Sequence, residues 1–117
     1  MITVFFYITV LPDREGQFRS MVREMTESSR ADEGCLDYTY FARLGKEHEF
    51  VLYERWRDQE ALNAHVARLV SEYGPPDDDP SLPDTHPRKR LPRTFMDLFS
   101  SAEVVRYEPV LAEDSVI

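Results

Sequence analysis

The chain contains a single cysteine, Cys35, which rules out an internal disulfide and leaves no cysteine spacing for a metal centre. Basic residues are in the minority: 14 Lys and Arg stand against 22 Asp and Glu, a net charge of −8. A negative field repels phosphate backbones and anionic lipid, so neither a nucleic-acid nor a membrane partner is expected. The longest apolar run, Ile2 to Leu11, is about half of the ~20 residues that span a bilayer. It also lacks the basic flank and small-residue cleavage site of a signal peptide, so a cytoplasmic protein is expected. The four glycines form no phosphate-cradling loop, and no paired metal ligands or Ser-His-Asp order stand out. No metal site is therefore expected from these spacings.

What is present fits one domain over residues 1–117, large enough to bury ~65% of its unfolded surface. The most informative stretch runs from Phe50 to His65. Phe50, Leu52, Glu54 and Trp56 alternate with Val51, Tyr53 and Arg55, the period of a strand. At Asp58 the period becomes helical, with Leu62, His65, Val66, Leu69, Val70 and Tyr73 on one stripe. Asp58 suits the N-cap of that helix, and Gly74-Pro75 suits its end. A carboxylate, an indole and an imidazole thus gather at one strand-to-helix corner.

Ahead of this corner, residues 2–11 alternate with large apolar side chains on both faces, which predicts a central strand covered on both sides. Pro12 ends it. Asp13 is then expected to cap a helix carrying Phe18, Met21, Val22, Met25 and Ser29, with Gly34 as its stop. A second strand is expected from Cys35 to Arg43, with a hairpin at Leu44-Gly45-Lys46-Glu47. From Gly74 to Arg90 five prolines, the acidic run Asp77–Asp79 and the basic cluster Arg88–Arg90 show no hydrophobic period. This Pro-rich loop is expected to be a lid, a dimer-crossing arm or disorder. A short helix over Pro92 to Phe99 and a last strand over 102–110 follow, and the tail from Leu111 is expected to fray or reach for a partner.

The order β-α-β-β-α-(loop, short α)-β is that of an α+β, ferredoxin-like fold with a four-stranded antiparallel sheet. Two helices cover one sheet face only, so the apolar surplus on the other predicts a homodimer.

Cys35 after Glu-Gly, the Tyr-Glu-Arg-Trp strand end and the Asp58-x-x-Ala61-Leu62-x-x-His65 helix resemble the antibiotic biosynthesis monooxygenase (ABM) domain family. The resemblance implies a dimeric α/β barrel with a small apolar pocket between each sheet and its own helices. It also implies cofactor-independent oxygenation of a small aromatic substrate, such as a hydroquinone or anthrone, by O2. Trp56 and His65 would be the catalytic pair, and Tyr7, Tyr40, Glu54, Arg93 and Phe95 the substrate-binding set. The chain departs from the family at two places. Leu52 stands where quinone-forming members carry an asparagine, and the first strand offers Phe5, Phe6, Tyr7 and Thr9 where haem-degrading members do. Two other readings remain open: an isomerase or lyase using the same pocket, and a non-catalytic stress-response binding module. A well-formed pocket lined by both His65 and Trp56 would favour an enzyme; a filled interior with Glu54 paired to His65 would favour the module.

Overall fold

In the computed structural model, which describes residues 1–111, the alternation of the first segment becomes a central strand. β1 (Ile2–Val10) lies between β3 (Glu49–Trp56) and β4 (Phe99–Tyr107), and β2 (Cys35–Ala42) closes the far edge. All three pairings are antiparallel, in the order β2-β3-β1-β4. Because side chains alternate across a strand, this register stacks Val4, Phe6, Ile8 and Val10 beside Phe50, Leu52, Glu54 and Trp56 on one face. Two helices cover that face: α1 (Glu15–Arg30), through Phe18 and Met25, and α2 (Gln59–Tyr73), through Leu62 and Leu69. The result is an α+β, ferredoxin-like arrangement, and no helix among the described residues is long and apolar enough to cross a membrane.

Where local signals compete with tertiary ones, the elements shift. Asp13 does not cap α1. Pro12, with its fixed φ, starts a 3-10 turn over Pro12–Arg14 that absorbs Asp13, and Arg14 occupies the N-cap position with no side-chain capping bond. Nor is Gly34 the stop of α1, which ends at Arg30 on backbone bonds from Ala31. Gly34 instead lets α2 approach. Its φ is +81°, and a β-carbon there would lie 2.5 Å from that of Ala61. The Asp58 cap is as expected, the carboxylate accepting from the Ala61 N–H at 2.8 Å, and Gly74 closes α2 at φ +108°.

The short helix, α3 (Arg93–Met96), is shorter than its apolar spacing suggests, and β4 begins at Phe99 rather than at residue 102. Phe99 belongs to the strand because it pairs with Val10 across an irregularity in the β1 register. β4 also ends at Tyr107, before residue 110.

The Pro-rich segment is ordered by its own charges. Arg88 pairs with Asp77 at 3.1 Å and with Asp97 at 2.5 Å. Lys89 donates to the carbonyl of Asp79 at 3.0 Å, and the Asp77 and Asp79 side chains accept from the backbone two residues on. The expectation for the tail concerns residues 112–117, outside the described residues.

Candidate active site

A cavity of about 330 Å³ opens between the inner sheet face, α2 and the Pro-rich segment. Apolar walls come from Val4 and Phe6 of β1, Leu52 of β3, Leu62 and Leu69 of α2, and Phe95 of α3. Polar groups gather in two places: Tyr38, Tyr40, Glu54 and His65 on the wall, and Gln59, Asn63, Arg90 and Arg106 in addition. Apolar walls with a few convergent polar groups are the usual make-up of a small-molecule site.

Glu54 faces the core because strand alternation puts it between Leu52 and Trp56. The same two-residue spacing lets the Trp56 indole N–H donate to its Oε1 at 3.0 Å. With 7% of its surface exposed, Glu54 has lost most of the water that would solvate its charge. Burial pushes its carboxyl up to about 7, against the opposing hydrogen bond from Trp56. This carboxyl changes charge near neutrality, as a general base should.

His65 lies one side chain further. Its Nε2 is 3.7 Å from Glu54 Oε1, and its Nδ1 is 2.8 Å from Asp32 Oδ2. Asp32 sits in the turn after α1 and is gripped by Arg68, whose Nε and Nη2 donate at 2.6 and 2.9 Å. Burial pushes the Asp32 carboxyl up, but the hydrogen bonds from Arg68 and His65 outweigh it and hold the group below the usual carboxylate range. Burial pushes the His65 imidazole down, and the pull of Asp32 only partly offsets it. At neutral pH the arrangement is therefore an ionised Asp32, a neutral His65 and a Glu54 near its midpoint.

The tyrosines on the wall stay protonated. Burial, with Glu54 as a further cause, raises both phenols well above their ordinary value. Tyr40 Oη is sealed from solvent, and its polar contact among the described residues is with the Tyr38 phenol, too loose to count as a full hydrogen bond.

Of the residues singled out from the sequence, Glu54, His65, Tyr40 and Phe95 come together on the cavity wall. Trp56 does not reach it. The indole is fully buried, 4.5 Å from the His65 ring between centroids, and meets the site only through its bond to Glu54. Tyr7 is on the opposite sheet face, 46% exposed, bordering a separate hollow with Val51 and Glu103. Arg93 is likewise outside, exposed on α3 with Asp97 as its ion partner at 3.9 Å. Asp32 and Arg68 are absent from the set that the sequence singles out. Arg68 is three residues after His65 on the same helix, a spacing that brings side chains together; Asp32 carries no such local signal.

The two conditions that separate an enzyme from a binding module are each half met. A cavity exists with His65 on its wall but not Trp56, and Glu54 does pair with His65, yet beside an open space.

Comparison with known proteins agrees with this fold. The antibiotic biosynthesis monooxygenase family model matches residues 1–69, more than half of the chain. YcnE of Bacillus subtilis (strain 168) is 37% identical over 65 residues, 56% of this chain and 68% of that protein. A crystal structure described as an antibiotic biosynthesis monooxygenase superposes with a TM-score of 0.68 at 21% identity, over 95% of this chain and 100% of the other. PA3566 from Pseudomonas aeruginosa gives 0.66 at 22% identity, over 94% of each chain. At those identities the two structures speak for the fold alone, while the family match speaks for kinship. The chain belongs to the antibiotic biosynthesis monooxygenase family.

Proposed function

We propose that this protein is a cofactor-independent monooxygenase that oxidises a small aromatic substrate of the hydroquinone or anthrone kind in the cavity beside Glu54. The supporting observation is a buried carboxyl with a pKa of about 7 on the wall of a largely apolar space. Glu54 takes the proton from the substrate's acidic O–H or C–H. The resulting anion gives an electron to O2, the radical pair joins as a peroxide anion, and return of the proton from Glu54 lets water leave and a ring carbonyl form. The protein's part is to hold the substrate, favour its anion and exclude bulk water.

Moving a proton from a phenol of pKa ~10 to a group near 7 is uphill by ~4 kcal/mol. Turning from Tyr38 toward the cavity, the Tyr40 hydroxyl can donate to the new anion and offset part of this, since bonds to a charged acceptor are worth ~1.5–3 kcal/mol. Trp56 acts indirectly, fixing the carboxylate through its indole N–H.

A proton-transfer isomerase is a second reading, favoured by the two adjoining groups Glu54 and His65, which would take and return a proton without O2. Oxygen uptake with a panel of hydroquinones, naphthols and anthrones separates the two. The monooxygenase reading expects one O2 consumed per carbonyl formed. Isomerised product without uptake supports the second reading and overturns the first.

We also propose that a second copy covers the outer sheet face. Phe5, Tyr7, Tyr53 and Tyr107 form an aromatic cluster there, and Tyr7, Phe41 and Tyr107 are 46%, 52% and 51% exposed. Sedimentation should give about twice 13.7 kDa, and a monomer at micromolar concentration contradicts the barrel.

A further inference from the structure

The proposed reaction leaves a proton to be accounted for. Glu54 removes one from the substrate before O2 reacts, and one must return when the peroxide anion formed with O2 loses its outer oxygen as water. Between those events Glu54 holds the proton inside a site that excludes solvent. Beside Glu54 stands His65, whose Nε2 is 3.7 Å away. It faces a protonated carboxyl without setting one donor against another only if Nε2 carries a lone pair, so the ring must hold its own hydrogen on Nδ1. Asp32 determines that. Its carboxylate lies 2.8 Å from Nδ1 and has no hydrogen to give, so Nδ1 must be the donor. Asp32 is itself aligned by two hydrogen bonds from Arg68, which also donates to Ser29 Oγ at 3.2 Å.

We propose that Asp32, braced by Arg68, is a positioning residue that holds His65 as the Nδ1–H tautomer, so that Nε2 turns a lone pair, not an N–H, toward Glu54 while the carboxyl carries the substrate's proton. This inference rests on the monooxygenase reading for its chemistry but not for its geometry. Protonated Glu54 keeps its proton, with the Nε2 lone pair 3.7 Å from its Oε1 and no opposing N–H. The O–H bond of Glu54 then breaks as the proton passes to the leaving peroxide oxygen, which departs as water, and the carboxylate is regenerated. No net proton and no electron is needed from elsewhere.

The tyrosines and the thiol packed around this line stay neutral through the relevant pH range. Tyr38 and Tyr40 of β2 are raised by burial first and by Glu54 as a lesser cause. The Cys35 thiol is pushed up to about 11 by burial first and by Glu54 second. Arg68, raised chiefly by its bonds to Asp32, stays charged. The His65 imidazole is lowered by burial first, raised in part by Asp32 and lowered again by Arg68.

Ring 15N NMR of the histidine-labelled protein at pH 8, where Glu54 is ionised, reads the tautomer directly. His65 is picked out from His48 and His86 by comparison with His65→Gln. The expected wild-type pattern is a protonated Nδ1 and an unprotonated Nε2. In Asp32→Ala the neighbour left to direct the ring is the Glu54 carboxylate, so the hydrogen should move to Nε2. Oxygen uptake by Asp32→Ala should fall at least ~10-fold in kcat with KM little changed, the mark of a lost proton-transfer step. A wild-type ring protonated on Nε2 overturns the proposal outright, even if the variant does not fold. A reversed tautomer in Asp32→Ala with undiminished kcat overturns the positioning role. Failure of every phenol to consume O2 in the wild type counts against the monooxygenase reading instead, and the tautomer result still decides whether Asp32 sets the ring.

Discussion

Replacing Glu54 with glutamine should make the protein more stable at alkaline pH and leave it almost unchanged at acid pH. In the folded chain the carboxyl titrates near 7 rather than at its ordinary 4.5, raised by burial. Between those two values the folded state holds a proton that the unfolded state has released. Folding stability must then fall as pH rises through that window. Each pH unit of difference is worth ~1.4 kcal/mol, so ionising Glu54 inside the fold costs about 3 kcal/mol by pH 8. The amide of the Glu54→Gln variant has no charge to gain. Its carbonyl still accepts from the Trp56 indole. His65 is shifted in the opposite direction and stabilises with rising pH, but it is present in both proteins and largely cancels in their difference. Urea unfolding of both at pH 5, 6, 7 and 8 gives that difference. It should be near zero at pH 5 and grow to about 3 kcal/mol in favour of the variant by pH 8. A difference that stays flat across the range refutes the claim that Glu54 is held as a buried, perturbed acid.

Three further outcomes follow from the same geometry. Tyr40→Phe removes a buried hydroxyl whose polar contact is the loosely placed Tyr38 phenol, so stability should change by about 1 kcal/mol or less while turnover falls ~10-fold; a loss of about 2 kcal/mol or more would mean a full hydrogen bond in the resting fold. Gly34→Ala places a methyl 2.5 Å from the Ala61 β-carbon at φ +81°, which should destabilise by about 2 kcal/mol or more in thermal unfolding. Exchanging residues 75–89 for a short Gly-Ser linker removes Thr85 and Pro87 from the cavity wall, so a lid predicts weaker ligand binding by an intact assembly; an arm predicts a weaker dimer, and no change in either leaves the segment without a role.

The elements that can be read from the sequence are those in which one local signal dominates. The alternation in β1 and β3, the Asp58 cap and the Gly74 stop each depend on a few neighbouring residues, and each is found where the pattern puts it. Asp13 and Phe99 show the opposite case: a helix signal there competes with a proline turn and with pairing to Val10, and tertiary structure wins. At the site, Glu54 is conspicuous because a carboxylate stands on an apolar strand face. Trp56 is conspicuous on the same face, yet periodicity gives a face and not a depth, and the strand end lies sealed beside His65. Asp32 cannot be found this way. It is 33 residues from His65 in sequence, and their contact exists only after α1 and α2 pack together. The Pro-rich segment has no hydrophobic period to read because paired charges and Asx turns, not an apolar face, hold it in place.

The central claim is that Glu54 receives the substrate's proton, and the pH dependence of turnover tests it most directly. With the best phenol from the oxygen-uptake panel, kcat/KM of the wild type should rise through a single ionisation near pH 7, as the carboxyl becomes able to accept. Glu54→Gln should abolish that rise and lower the rate by ~10²–10⁴-fold, the usual contribution of a positioned base. A Glu54→Gln protein that turns over at the wild-type rate, with the same pH profile, would contradict the account.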